Sequence, residues 1–150
     1  MLGGLYDHGR YGLRQNMAKA HKLWLRAGEL GCTSAYNDIG ITYRTGEGVE
    51  RNMKKSMYYS ALAAMGGDVT ARHNLGCFEE EAGNMDRAVK HYMIAAGAGY
   101  DDSLKAIRDG FLNGQVTKDD FEKALRAHKE AKDELKSDQR EAAAAAGGRT

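Results

Sequence analysis

The segment IGITYRTGEGVERNMKKSMYYSALAAMGG, from Ile39 to Gly67, carries the pattern that decides the fold. Ala35, Ile39 and Tyr43 are spaced at i, i+4 and i+8, which predicts an apolar stripe on an amphipathic helix that ends at the first glycine of GEGV. From Met53 onward, small residues recur at helical spacing as far as Gly67, a residue suited to a left-handed helix end. The segment therefore predicts two helices, A and B, joined by a glycine-containing turn.

The same pattern recurs along the chain. Asn-Met pairs begin at Asn16, Asn52 and Asn84, and small residues follow each pair at matched positions. At the start of helix B, an asparagine oxygen can accept a free backbone N–H, a cap worth about 0.5–2 kcal/mol. Because two helices this short cannot bury their apolar faces alone, the units must stack side by side into a superhelical array of either hand.

Composition limits the classes of partner and the compartment. The 150 residues are 42% hydrophobic and 29% charged, within the range of a globular domain. Lys and Arg number 22 against 21 Asp and Glu, so the net charge of +1 argues against nucleic-acid and membrane partners. The two cysteines suggest reduced thiols, and no export signal or apolar run of about 18 residues occurs. These features predict an intracellular, cytoplasmic protein.

The segment from Ile39 to Gly67 resembles the Sel-1-like repeat, a relative of the tetratricopeptide repeat. Units of that family carry an aliphatic-Gly pair, Tyr, Gly-x-Gly-Val, Asp, Lys-Ala, an aromatic pair and Ala-Ala before a glycine. Asn52 replaces the usual Asp, which the capping argument predicts to be harmless. The resemblance covers roughly residues 2–114 and is weakest in the third and fourth units, since the third has Glu79 in the Tyr position and lacks Gly-x-Gly-Val.

The expected fold class is therefore all-α: a right-handed superhelical α/α-solenoid of about three and a half helix-turn-helix repeats with a long C-terminal helix. The expected units span about 2–35, 36–71, 72–103 and, in part, 104–116. A charged capping helix is expected over 117–142, followed by a disordered tail over 143–150.

The first unit begins inside its helix A, which suggests a truncated gene product or a fragment. A bare face of Leu2, Leu5 and Tyr6 would then be open to self-association with another copy.

The resemblance implies a non-catalytic scaffold or adaptor that assembles multi-protein complexes and needs no cofactor or metal. In tetratricopeptide-like arrays, helix A lines a concave face that binds peptides or proteins. Carried onto this chain, the outward positions of helix A are Asn37, Ile41, Arg44, His73, Cys77, Glu80, Lys105, Asp109 and Leu112. This mixed surface suits an extended peptide or a helix better than a phosphate backbone, and predicts micromolar affinity at best.

A calcium-responsive module is one alternative, because DGFLNGQVTKDD at 109–120 partly matches an EF-hand-like loop. Phe111 stands at the third position and Asp120 replaces the bidentate Glu, so the loop is degenerate. The preferred interpretation is a helix that ends at Gly114 and a second helix capped by Thr117, with Asp120 at the capping-box position.

A thiol enzyme is the least favoured alternative. His73 and Cys77 are four residues apart on a predicted helix and would face the same way. The sequence supplies no visible orienting acid or oxyanion donor for this pair. The remaining histidines are dispersed without metal-ligand spacing.

Overall fold

The computed structural model describes residues 2–148, with side chains described for residue 12 and for residues 15–148. All regular elements in this range are α-helices, which confirms the all-α solenoid class. The helices are α1 (Leu2–Glu29), α2 (Thr33–Thr45), α3 (Met53–Met65), α4 (Val69–Glu81), α5 (Met85–Gly97), α6 (Asp101–Leu112) and α7 (Lys118–Gly147). The chain divides into two compact units, residues 1–75 and 76–150.

In the first unit, α2 packs against α1 on one side and α3 on the other. The approach of α3 is close because Gly40 has no side chain: a Cβ there would lie 2.9 Å from Ser60 Oγ. The Ser56 hydroxyl donates a 2.7 Å hydrogen bond to the Gly40 carbonyl. Helices A and B of this repeat are thus joined at a glycine by both packing and a buried hydrogen bond.

The contact between α1 and α2 centres on His21. Its Nε2 lies 2.7 Å from Thr42 Oγ1, and the Thr42 hydroxyl donates to the Ile39 carbonyl at 2.8 Å. Because that hydroxyl hydrogen is already donated, Nε2 of His21 must be the donor, which fixes the tautomer of the neutral ring. Burial lowers the pKa of His21 below its usual range.

Aromatic rings extend this packing along α2 and α3. Tyr59 stacks on Tyr36 and on Tyr43, with ring centroids 6.3 Å and 5.9 Å apart. Tyr58 is 60% exposed and packs edge-on against Tyr59, with ring centroids 5.2 Å apart. Tyr59 therefore contacts three other tyrosine rings, those of Tyr36, Tyr43 and Tyr58.

The second unit has a core formed where α5, α6 and α7 meet. Its buried members are Ala88, Val89, Tyr92, Ala96, Ile107, Val116 and Ala124. The ring of Tyr92 lies over Gly76 of α4, where a Cβ would stand 2.5 Å from Cε1. The repeat glycine therefore serves the same purpose in both units.

The predicted helix caps are confirmed only in part. Asn52 Oδ1 accepts a 3.1 Å bond from the Lys55 N–H, and Thr117 Oγ1 accepts one from Asp120. Asn84 precedes α5 but makes no cap bond with its side chain, which donates to Glu79 instead. Asn16 lies inside α1, so the predicted boundary between two helices in the first repeat is wrong.

The C-terminal helix is longer than predicted. It continues to Gly147. The predicted helix end at residue 142 is therefore wrong, and residues 143–147, which were expected to be disordered, are helical. The cause is the alanine run, since alanine has the highest intrinsic helix propensity of any residue.

At the other end of the chain, the predicted bare face of Leu2, Leu5 and Tyr6 lies outside the described side chains. Among the described residues, none of the helices has the length and apolar character needed to cross a membrane.

Candidate partner-binding site

The predicted helix-A surface of the first unit lies on α2 and the start of α4. Ile41, Arg44 and His73 are half-buried there. Asn37 is only 7% exposed, and its Oδ1 accepts a 3.2 Å hydrogen bond from Asn74 Nδ2. The structure thus buries Asn37, contrary to the prediction that it points outward, because a neighbouring helix supplies an amide partner for it.

In the second unit, the predicted surface residues of α6 form one open stripe. Lys105 and Asp109 are exposed, and Leu112 is 72% exposed. Ile107 and Gly110 lie on the opposite side of the same helix and are buried. The stripe therefore combines a cation, an anion and an apolar side chain on a helix held from behind by the core.

The C-terminal half of α4 brings Cys77 and Glu80 together with Tyr92. The Tyr92 hydroxyl donates a 2.6 Å hydrogen bond to Glu80 Oε2 and lies 3.5 Å from Cys77 Sγ. Burial, followed by the bond to Glu80, raises the pKa of Tyr92 far above its usual range, so the phenol stays protonated. Glu80, although exposed, is therefore held in place by a buried donor.

This geometry does not favour thiol chemistry at Cys77. The Tyr92 phenol that contacts its sulfur is protonated and cannot accept the thiol proton, so Tyr92 is not a base for Cys77. A catalytic cysteine needs a base within hydrogen-bond reach, itself oriented by a third group. Tyr92 instead acts as a structural donor that links α5 to α4.

The segment 109–120 does not form an EF-hand loop. Asp109 lies within α6 and Asp120 within α7, which leaves only five residues, 113–117, between the helices. Val116 is buried in the core, and the Asp120 N–H is bonded to Thr117. Among the described residues, no three His, Cys, Asp or Glu side chains are grouped so that they could hold a metal ion.

A groove between α6 and α7 was not predicted from the sequence. Its volume is about 330 Å³, and it is lined by Asp101, Asp102, Leu104, Lys105, Arg108, Phe121 and Leu125. Of these residues, only Lys105 was among the predicted contacts. The sequence contains a signal for two of the others, because Phe121 and Leu125 are apolar and one turn apart on α7.

Polar contacts to Asp101 hold α7 along this groove. His128 Nε2 lies 2.7 Å and Lys132 Nζ 3.2 Å from Asp101 Oδ1. The hydrogen bonds from His128 and then Lys132 lower the pKa of the Asp101 carboxyl. On its other side α7 lies in ordinary van der Waals contact with α5, since a Cβ at Gly97 would lie 3.8 Å from Ala127 Cβ.

A family model, the Sel1 repeat, matches residues 1–32, 33–68 and 106–126. The chain belongs to the Sel1 repeat family. Its second Sel1 match coincides with the helix pair α2 and α3, and its third runs from α6 into α7. The start of α7 therefore lies inside this third match, which extends beyond the predicted partial unit at 104–116 into the segment expected to be a separate cap.

Two solved structures resemble this Sel1 repeat chain. A Sel1 repeat protein from Oxalobacter formigenes is 26% identical, with a TM-score of 0.64 over 77% of this chain and 49% of that one. The protective antigen c5321 of uropathogenic Escherichia coli, which has an SLR fold, is 29% identical, with a TM-score of 0.61 over 75% of this chain and 25% of that one. The chain thus spans at most about half the length of these structures. No curated protein shows significant similarity to it.

Proposed function

We propose that this Sel1 repeat chain is a non-catalytic scaffold that binds peptide or protein partners on the exposed faces of its A helices and helps to assemble multi-protein complexes. Sel1 repeat proteins are generally protein–protein interaction scaffolds. The observation that carries the proposal is the open stripe of Lys105, Asp109 and Leu112 on α6. A leucine left 72% exposed beside two opposite charges, on a helix fixed by its buried face, is suited to a partner.

The chemistry of the stripe supports a peptide ligand. Leu112 offers apolar contact area, whereas Lys105 and Asp109 offer a donor and an acceptor for charge-assisted hydrogen bonds. The groove between α6 and α7 adjoins the stripe through Lys105 and adds Leu104 and Phe121 as apolar contacts. A partner segment with one apolar side chain flanked by opposite charges would complement this surface.

In the first unit, Ile41 and Arg44 on α2 provide a second set of candidate contacts. Both side chains are half-buried, so each is partly held by its own repeat before a partner arrives. Such preorganisation reduces the side-chain entropy that is lost on binding. Asn37, which is bonded to Asn74, would act by supporting this surface from behind.

The decisive experiment compares two charge swaps that leave the net charge unchanged. The test variant carries Lys105→Glu and Asp109→Lys on α6. The control carries Lys129→Glu and Asp133→Lys, an equally spaced pair of exposed residues on α7. Tagged chains are used to recover partners from a native lysate, and recovered partner segments are titrated against the purified chains.

Partners that are lost with the α6 swap and retained with the α7 swap are the expected result. Recovery of the same proteins with both variants would contradict the proposed surface. Loss of partners with the α7 swap alone would show that they bind the charged C-terminal helix.

We also propose that the chain self-associates through its first repeat. On and just after α1, Leu23 is 70% exposed and Leu30 is 80% exposed, which gives this region apolar area for a second copy. Cys32 and Cys77 are not joined in a disulfide, which supports a cytoplasmic location, to be tested by imaging a tagged chain.

A further inference from the structure

The first Sel1 repeat differs from the second in its helices. The match over residues 33–68 contains a pair of helices, α2 and α3, joined by a turn. The match over residues 1–32 contains one helix, α1, of 28 residues. In the first repeat, the segment equivalent to helix A therefore continues in line with helix B and does not fold back on it.

Equivalent residues on α3 and α1 differ in how deeply they are buried. On α3, the side that faces helix A is marked by Ser56, Ser60 and Ala63, which are 1%, 2% and 0% exposed. The equivalent residues of α1, each 36 positions earlier, are Ala20, Trp24 and Ala27, and all three are only partly buried. Helix A covers this surface of α3. The equivalent surface of α1 is therefore only partly covered.

The sequence of α1 contains the segment that fits this place. Leu2-Gly3 and Tyr6 correspond to Ile39-Gly40 and Tyr43 of the second repeat. At 1.5 Å per residue, a continuous helix holds Gly3 roughly 30 Å from Trp24. The segment cannot reach its own helix B while α1 is unbroken, although a second copy can supply the same segment.

We propose that two copies of the chain exchange these segments, so that residues 2–8 of each copy, the part of α1 equivalent to the second half of helix A, pack on the Ala20–Ala27 face of the other. The exchange is reciprocal and closes as a two-fold dimer, a low-cost route because it reuses the contacts of a repeat. It completes a repeat that is incomplete in a single copy. It deepens the proposed self-association and is independent of partner binding on α6.

A specific contact follows from the repeat register. Trp24 occupies the position of Tyr92, eight residues after the Asn of the Asn-Met pair, and Gly3 occupies that of Gly76. The ring of Tyr92 lies so close over Gly76 that a Cβ there would be 2.5 Å from the ring. In the exchanged dimer, the indole of Trp24 lies in the same way over Gly3 of the other copy.

The test uses the full chain and its only tryptophan, Trp24. Light scattering after size-exclusion chromatography gives the mass over a range of concentrations, and Trp24 emission is followed on dilution. Gly3→Val places a side chain in the contact. Gly4→Val makes the same change, with the same gain in helix propensity, one position away on the helix.

The wild type and Gly4→Val are expected to be dimers whose Trp24 emission moves to longer wavelength when dilution separates them. Gly3→Val is expected to be a monomer with the long-wavelength emission at every concentration. A wild type that is monomeric throughout, a dimer that survives Gly3→Val, or equal loss in both variants would overturn the proposal.

A second variant keeps the test valid if Gly3→Val fails to fold. Replacing residues 9–15 by GEGVER, the turn sequence that follows Tyr43 in the second repeat, allows helix A to fold back within one chain. This variant is expected to be a monomer with the short-wavelength emission of the dimer. If it remains a dimer, the exchange is wrong. Failure of this proposal would leave the α6 surface unaffected, because that surface is assayed with other variants.

Discussion

At the residue scale, the repeat glycine sets how closely helices A and B approach. Gly40 faces the small Ser60, whereas Gly76 faces the large Tyr92. In both cases an added Cβ would come within 3 Å of its neighbour, so neither glycine is there for backbone freedom. The glycine is needed for close packing, and the residue opposite it determines what fills the space.

Gly76→Ala is expected to lower the free energy of unfolding by about 1–3 kcal/mol, because the new Cβ overlaps the Tyr92 ring. Gly97→Ala provides the control within the same unit. Its Cβ would meet Ala127 at an ordinary 3.8 Å, so a neutral or slightly stabilising effect is expected. Urea unfolding of both variants measures the difference. Equal stabilities would show that the Tyr92 ring moves away without cost.

His21 should make the stability of the first unit depend on pH. Burial lowers its pKa in the folded state, so between that value and the usual pKa of about 6.5 the unfolded chain binds more protons. Stability is therefore present at higher pH and falls as the pH drops through about 6.5 towards the lower folded-state pKa. His21→Gln keeps a donor for Thr42 and should flatten this part of the pH profile. Parallel wild-type and variant profiles would contradict this assignment.

The asparagines show how far single residues can be interpreted from sequence. The Asn-Met pattern correctly gave Asn52 as a cap, since a glycine-rich turn precedes it and leaves N–H groups free. Before Asn84, the shorter turn brings Glu79 within 3.0 Å, and the amide binds that carboxylate instead. The cap motif alone does not predict that a shorter turn brings a competing hydrogen-bond acceptor, the Glu79 carboxylate, within reach of the asparagine.

At the scale of elements, periodicity and glycine positions predicted most of the helices, because short amphipathic helices with glycine ends leave few alternatives. The missed break near Asn16 has a simple cause: LRQNMAKA contains neither glycine nor proline, so nothing in it stops a helix. The end of α7 was missed for a related reason. Low complexity was interpreted as disorder where alanine propensity extends the helix.

The outer part of α7 is expected to contribute little to stability. Residues 133–148 are all exposed, whereas Ala124, His128 and Lys132 bind α7 to its unit. A chain that ends at Asp138 should melt within about 2 °C of the full chain. A chain that ends at Thr117 should lose the cooperative unfolding of the second unit, because removing α7 exposes the core residues Val89 and Tyr92 to water. A large drop in melting temperature for the first truncation would contradict the assignment of a free outer helix.

At the scale of the whole molecule, charge is nearly balanced, with a net charge of +1. Long-range attraction should therefore contribute little to association, and the association rate of a partner peptide should change less than about threefold with salt. The Lys105→Glu, Asp109→Lys swap should act locally and raise the dissociation rate at least about tenfold. Stopped-flow kinetics with a recovered partner segment measure both rates. Strong salt dependence together with an unchanged dissociation rate would contradict this model.

The sequence predicted the proposed binding surface only in outline. Positions on α6 were exposed as expected, since the opposite stripe is clearly apolar. Asn37 was misjudged because its amide partner, Asn74, is 37 residues away and belongs to another helix. The groove beside α7 required knowledge of how α7 packs, which periodicity within one helix does not contain.

The Asn37–Asn74 bond also bears on how such genes change length. In the 36-residue register, the position equivalent to Asn74 in the second repeat is Asp38. A tandem duplication of residues 33–68 would thus set Asn37 beside a carboxylate, and a rotated amide can donate to a carboxylate as readily as it accepts from another amide. Unequal crossing-over can therefore add a repeat here without leaving a buried polar group unsatisfied. The side chain of Asn37 makes this junction tolerant of copy-number change.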